Sequence, residues 1–321
     1  MSSVAQTPTL AGHWEILRVD HWFKNVFAVP GVIVALTVVQ HINTEGLFAR
    51  LLLASVSLCL VASSNYVINE LLDAPHDRLH PTKSSRPVPS GRVHVPLAWL
   101  QWLVVGALGI WIGSRVSTGF FVAAAVLWGM GCVYNVRPLR TKEVPYLDVL
   151  TESVNNLLRL LAGWFAVDPG VYPPGSLQLS YWMVGAYFMA IKRYAEFRFI
   201  GDASRAAAYR ASFAYYTEAR LLTSIMFYAA SAMLFFGIFI ARYRIELILA
   251  FPLVALVMAV YFNTGLKPDS AAQHPERLYH ERALMAAVVV CTLVMALCFV
   301  VDIPALDRLL EMFPRSGYRP F

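Results

Sequence analysis

Apolar runs long enough to cross a bilayer recur along the whole chain, and they constrain its fold more than any other feature. A hydrocarbon core of about 30 Å needs roughly 20 helical residues per crossing. Runs of that length fall at residues 24–43, 49–72, 95–113, 116–134, 147–167, 177–197, 221–241, 244–263 and 283–303. None alternates with the period of two that β-barrel strands require. The expectation is an all-α membrane protein, with about nine transmembrane helices in one bundle around a cytoplasm-facing cavity. A single domain would span residues 1–321, with a polar tail over 1–22. Composition agrees: charged residues make up 14% of the chain, against about 25% in soluble domains, and mean hydropathy is +0.56. The tail has no signal-peptide pattern, so the first apolar run is expected to act as its own insertion signal.

A net charge of +6 and a pI near 9.2 would suit a nucleic-acid binder, but the placement of the charges argues otherwise. With the N-terminus inside, 18 of the 26 Lys and Arg residues fall on the cytoplasmic side and 7 on the other, with Arg159 inside a span. This is the positive-inside bias of membrane topology. It predicts a multi-pass protein of the bacterial inner (plasma) membrane with no nucleic-acid partner and a site on the cytoplasmic face. The oligomeric state is not legible. Cys59, Cys132, Cys291 and Cys298 lie in apolar runs without metal-ligand spacing and read as packing residues.

The second apolar run ends in NYVINELLDAPHDRLHPTKSSRPVPSG. Asn69, Asp73 and Asp77 are four residues apart and share a face on a continuing helix. Pro75 is expected to end or kink that helix and leave Asp77 on a turn. Carboxylates one turn apart suit a hard divalent cation such as Mg²⁺, which takes one or two protein carboxylates and completes its octahedron with water and phosphate oxygens. Arg78, Lys83, Arg86 and Arg92 follow closely. Metal-binding carboxylates beside cations are what a departing pyrophosphate needs for charge neutralisation. A merely solvated acidic loop is the competing reading.

Two further clusters share that face. After the fourth run, Tyr134, Arg137, Arg140 and Lys142 sit at the membrane edge, and Asp148, Glu152, Asn155 or Asn156, and Arg159 recur at helical spacing. A charge at a helix centre costs roughly 2.5–3.5 kcal/mol, so the stripe must face a watery cavity or paired partners. A Glu152–Arg159 ladder that only joins helices is the alternative. After the sixth run, Lys192 and Arg193 precede Glu196, and Arg198 to Arg220 reads as an amphipathic surface helix. The loop with His274 and His280 has no ligand spacing and reads as a cap.

The run Asn69-Glu70-Leu-Leu-Asp73-Ala-Pro-His-Asp77-Arg78, followed by His80-Pro81-Thr82-Lys83 and Arg86-Pro87 to Ser90-Gly91, resembles the first aspartate-rich motif of the UbiA superfamily. Glu70 stands where that motif usually has its first Asp. Arg18 to Asn25 (RVDHWFKN) is similar to the family's N-terminal entry, and Tyr134 to Lys142 to its Tyr-x-x-x-x-Lys-type segment, with Arg140 near an expected Lys. The resemblance implies an intramembrane Mg²⁺-dependent transferase with a pyrophosphate leaving group. Asp73, Asp77, Asn69 and Glu70 would then hold the metal. Lys83, Arg86, Tyr134, Arg140 and Lys142 would bind substrate, and so would Glu152, Asn156, Arg159, Lys192 and Arg193. Asp73, Asp77 and Asp148 would be catalytic.

Prenyltransferases of this superfamily carry a second aspartate-rich motif after helix 6, where this chain has Lys192-Arg193-Tyr-Ala-Glu196. That resembles the branch that moves 5-phosphoribose from phosphoribosyl pyrophosphate to a polyprenyl phosphate. Glu152, Asn155 and Asn156 depart from it. A prenyl diphosphate donor with an aromatic or other small acceptor is the second reading. A non-enzymatic transporter is the third, and no internal repeat favours it.

Overall fold

The computed structural model describes residues 7–78, 83–273 and 275–310. His80, Pro81, Thr82 and His274, named above, lie outside them. The described residues are all-helical, without a strand. The α-helices are α1 (Leu10–Glu15), α2 (Val29–Val38), α3 (Leu47–Asp77), α4 (Val95–Ser114), α5 (Thr118–Asn135), α6 (Leu147–Val167), α7 (Gly175–Ile200), α8 (Ala203–Tyr209), α9 (Glu218–Tyr243), α10 (Phe251–Gly265), α11 (Arg282–Val300) and α12 (Pro304–Leu310). Each predicted apolar run falls mostly on helical residues, though residues 39–43 and 301–303 lie beyond the ends of their helices. Among the described residues, six helical stretches are long and apolar enough to cross a membrane: Leu10–Val38, α3, α4, α5, α9 and α11. α6 has the length but carries the polar stripe, and α10 is shorter, at 15 residues. Leu100, Leu103 and Val104 of α4, and Leu293 and Leu297 of α11, are exposed. Apolar faces of this kind are stable against lipid rather than water.

Two compact units make up the chain: residues 1–173 with 202–217, and residues 174–201 with 218–321. In the first unit, small residues let helices approach closely, as lipid-embedded packing requires. A Cβ on Gly31 of α2 would lie 2.0 Å from the Leu160 carbonyl oxygen of α6, and one on Gly163 2.0 Å from that of Ala28. Where α3 meets α4, Ser57 Oγ donates to Gly109 O at 2.7 Å and Ser64 Oγ to Trp102 O at 2.7 Å. In the second unit α7 packs along α9, and Ser180 Oγ donates to Ala232 O at 3.1 Å. The Tyr187 hydroxyl reaches Met258 O of α10 at 2.7 Å.

Three local expectations need correction. α3 does not stop at Pro75. Only one amide donor is lost there, Arg78 N–H closes the last turn on Ala74 O at 3.1 Å, and Asp77 stays on the helix. The first span does not begin as an α-helix. Val19–Ala28 is a 3-10 run, and Val29 N–H bonds Val26 O in the three-residue pattern just before Pro30, which has no N–H to continue a ladder. Residues 7–18 of the polar tail are docked on the first unit: Thr9 N–H donates to Arg92 O at 2.9 Å, and Arg92 pairs with Glu15. Finally, Arg198–Arg220 is not one surface helix. Gly201, at φ 69°, ends α7, and α8 and a 3-10 turn (Ala211–Ala214) follow before α9 begins.

Candidate active site

The unbroken α3 carries Asn69, Asp73 and Asp77 on one stripe, with Tyr66 a turn before them. Each carboxylate meets a cation from another segment. Asp73 Oδ1 accepts from Lys142 Nζ and lies 3.5 Å from Arg140 Nη2, both on the α5–α6 connection. Asp77 Oδ2 accepts from Arg86 Nη1 at 2.7 Å. Asn135, at the end of α5, ties the group together. Its Nδ2 donates to Gly131 O at 2.9 Å, which fixes the amide, and its Oδ1 accepts from Asn69 Nδ2 at 2.8 Å and Lys142 Nζ at 2.9 Å. Asn69 thus spends its nitrogen in that bond, and its oxygen remains as the ligand-type atom. Arg140 Nε also lies 2.5 Å from Glu143 Oε1.

Lys142 is 7% exposed. Burial pushes its ammonium below the usual lysine range of 10.5, the neighbouring Asp73 opposes the shift, and Arg140 and Arg210 add to it. Arg210 was not singled out in the sequence. Lying far along the chain in the 202–217 segment, it gave no spacing signal.

Other expected residues take different places. Glu70 is 3% exposed, and its Oε1 accepts from Val88 N–H at 2.9 Å. It therefore anchors the loop that covers Ile16, Leu71 and Val93. Asp148, expected as a carboxylate facing the reacting carbon, is fully buried at the start of α6. It accepts from Tyr216 Oη at 2.6 Å and Ser212 Oγ at 3.1 Å, with Arg210 Nη1 at 3.9 Å. It clasps residues 202–217. Lys83 Nζ donates to Tyr209 Oη at 3.0 Å, a second tie to the same segment. Tyr134 Oη donates to Glu152 Oε2 at 3.0 Å. Arg159, buried in α6, donates from Nε to Asn25 Oδ1 at 3.0 Å and from Nη1 to Asn155 O at 3.2 Å. Asn156 is half-buried one residue further along α6. Lys192 and Arg193 belong to the second unit. Arg193 is 1% exposed and donates to Glu196 Oε2 at 3.1 Å.

Apolar helices long enough to cross a bilayer, with a stripe of carboxylates paired to cations, define an integral-membrane protein. The UbiA prenyltransferase family model matches residues 26–285, and the chain belongs to that family. It is 28% identical over 202 residues to a decaprenyl-phosphate phosphoribosyltransferase of Mycolicibacterium smegmatis; the match spans 58% of this chain and 57% of that protein, little more than half its length. It is 28% identical over 243 residues to one of Mycobacterium tuberculosis, covering 73% and 76%. A UbiA homolog from Archaeoglobus fulgidus, solved bound to GPP and Mg²⁺, superposes with a TM-score of 0.67 at 19% identity over 90% of this chain and 98% of that one. That likeness concerns the fold.

The donor set fits magnesium. Asp73, Asp77 and the Asn69 oxygen offer oxygen ligands at one-turn spacing, which suits a hard cation. Among the described residues no group of three or more His, Cys, Asp or Glu side chains forms a metal cluster. The ion would therefore need phosphate oxygens to complete its shell, as magnesium with a substrate diphosphate does.

Proposed function

We propose that the protein is a Mg²⁺-dependent intramembrane transferase that moves 5-phosphoribose from phosphoribosyl pyrophosphate to a polyprenyl phosphate at the cytoplasmic face. The observation that carries this reading is the opposition of Asp73 and Asp77 to Lys142, Arg140 and Arg86. When bound, magnesium would neutralise charge on the departing pyrophosphate. Asp73 and Asp77 would hold it, with Asn69 as a neutral ligand. Lys142, Arg140 and Arg86 would then turn from the carboxylates to phosphate oxygens, in charge-assisted bonds about twice as strong as neutral ones. The acceptor phosphate is already anionic, so the reaction needs no strong general base. Asp148 works at a distance, by holding residues 202–217 in place.

The sugar donor is favoured by the two mycobacterial relatives' names and by the basic pair Lys192-Arg193 in place of a second acidic motif. A prenyl diphosphate donor with a small acceptor is the second reading, favoured by the GPP in the Archaeoglobus homolog. Purified protein with Mg²⁺, polyprenyl phosphate and either donor, followed by mass spectrometry of the lipid, separates the two. A phosphoribosylated lipid supports the proposal; consumption of a prenyl diphosphate with no such lipid overturns it. Lys192→Ala and Arg193→Ala should each weaken apparent affinity for phosphoribosyl pyrophosphate at least tenfold, about 1.4 kcal/mol, and weaken inorganic pyrophosphate less.

A further inference from the structure

The 3-10 run Val19–Ala28 is ten residues long, whereas such helices rarely exceed three or four. It also lies inside a stretch apolar enough to span a membrane, where irregular backbone persists only when it is buried in protein or lines a cavity. At three residues per turn, its side chains sort into three faces. Asp20, Phe23 and Val26 are exposed. Trp22 and Asn25 pack inward: Trp22 Nε1 donates to Ser63 Oγ at 2.9 Å, and Asn25 Nδ2 lies 3.4 Å from Cys59 Sγ. The third face stacks Arg18, His21 and Lys24.

That third face meets Tyr66 of α3. The His21 ring stands edge-on to the Tyr66 ring at 5.3 Å, and Lys24 Nζ lies 5.6 Å from its centroid. Arg18 Nη2 donates to His21 Nε2 at 2.8 Å, while His21 Nδ1 donates to Asp20 Oδ2 at 2.7 Å, so one neutral tautomer satisfies both bonds. Arg18 itself is held at φ 50°. Arg159 of α6 joins the same run, its Nε donating to Asn25 Oδ1 at 3.0 Å. On α6, one turn before Arg159, Asn155 Oδ1 is buried and has no hydrogen-bond partner among the described residues. Three permanent cations, Arg18, Lys24 and Arg159, and an unfilled acceptor therefore gather around this run.

We propose that Arg18, His21 and Lys24, with Tyr66 and Arg159, form a second anion subsite that takes a phosphate monoester. Tyr66 precedes Asp73 by seven residues, two turns on the same face of α3, or about 10 Å along the axis. A pyrophosphate at Asp73 and a monophosphate at Tyr66 would bracket a ribose-sized gap. The monoester would be either the lipid acceptor's phosphate or the donor's 5-phosphate; only that identity rests on the function proposed above. Asn155 Oδ1 would accept from a hydroxyl between the two charged ends.

The test is equilibrium binding to the full-length protein in nanodiscs, with three probes: farnesyl phosphate, ribose 5-phosphate, and pyrophosphate with Mg²⁺. Lys24→Gln should weaken one monophosphate at least tenfold, leave magnesium pyrophosphate within twofold, and be largely rescued by Lys24→Arg. Selective loss of farnesyl phosphate assigns the subsite to the acceptor, and selective loss of ribose 5-phosphate assigns it to the donor. No change in either monophosphate, or equal loss of all three probes in a variant that still unfolds cooperatively, overturns the proposal. Should Lys24→Gln misfold, the wild type still decides the matter: a bound monophosphate should slow acylation of Lys24 by an amine-reactive ester at least fivefold. Unchanged labelling by both monophosphates refutes the subsite. Because binding is read without turnover, failure of the transfer reaction and failure of the subsite are distinguishable.

Discussion

Tyr216→Phe tests whether Asp148 clasps the 202–217 segment. The substitution removes one oxygen, so packing around a residue 4% exposed is nearly conserved. Two bonds are lost: the hydroxyl donates to Asp148 Oδ1 at 2.6 Å and accepts from Tyr146 N–H at 2.6 Å. A hydrogen bond to a charged group contributes about 1.5–3 kcal/mol, equivalent to an opening equilibrium raised about 10- to 150-fold. Ser212 to Asp148 and Lys83 to Tyr209 still tether the segment, which favours the lower end. Limited trypsin digestion in nanodiscs reads this directly, because the Arg205 side chain is 79% exposed beside the clasp. When opening and closing outpace cleavage, the rate follows the open population. Cleavage after Arg205 should rise about tenfold or more, with cleavage after Arg277 unchanged. A rise below threefold would mean that the carboxylate does not hold the segment.

Asp73→Asn and Asp77→Asn should each abolish divalent-dependent turnover while the thermal transition persists; full turnover in EDTA, or wild-type rates in both variants, would remove the metal role. Lys142 should set the alkaline limb of kcat/KM below 10.5, the ordinary lysine value, and Lys142→Arg should move that limb upward. The sign for stability is opposite: the folded state binds fewer protons than the unfolded chain between the two pKa values, so stability rises with pH there as anion binding falls. A Cys at position 84, on a cysteine-free background, should resist a membrane-impermeant reagent in intact cells while one at position 176 reacts; the reverse pattern inverts the topology. Calorimetry should find Mg²⁺ binding weak alone and at least tenfold tighter with pyrophosphate present, and equal affinity in both conditions would exclude coupled entry.

The helices were legible because each apolar run is long and predominantly apolar, and the Asp73–Asp77 face because a four-residue spacing survives any small shift of helix ends. What the chain hid depends on contacts distant in sequence. The resemblance makes Glu70 a ligand, yet Val88, eighteen residues on, hydrogen-bonds its carboxylate. It makes Asp148 catalytic, but Tyr216 and Ser212 reach it from beyond α7. The 3-10 run escaped notice because an apolar stretch looks alike at three or at 3.6 residues per turn. Its polar residues carried the signal: Arg18, His21 and Lys24 recur every three, and Trp22 and Asn25 likewise.

Coupled entry follows from how the charges are already paired. Asp73 and Asp77 are paired with Lys142, Arg140 and Arg86. A metal ion arriving alone would displace those cations and strand Lys142, which is 7% exposed, in a place where an unpaired charge is expensive. Pyrophosphate arriving alone would draw the same cations away and leave Asp73 and Asp77 facing an anion. Only the metal–pyrophosphate complex offers a cation to the carboxylates and oxygens to the Lys and Arg side chains in the same step. Coupling between the two ligands is reciprocal, so once pyrophosphate is cut from its donor, loss of either partner loosens the other. A site whose charges can pair internally would thus bind the donor's head tightly and still release the product.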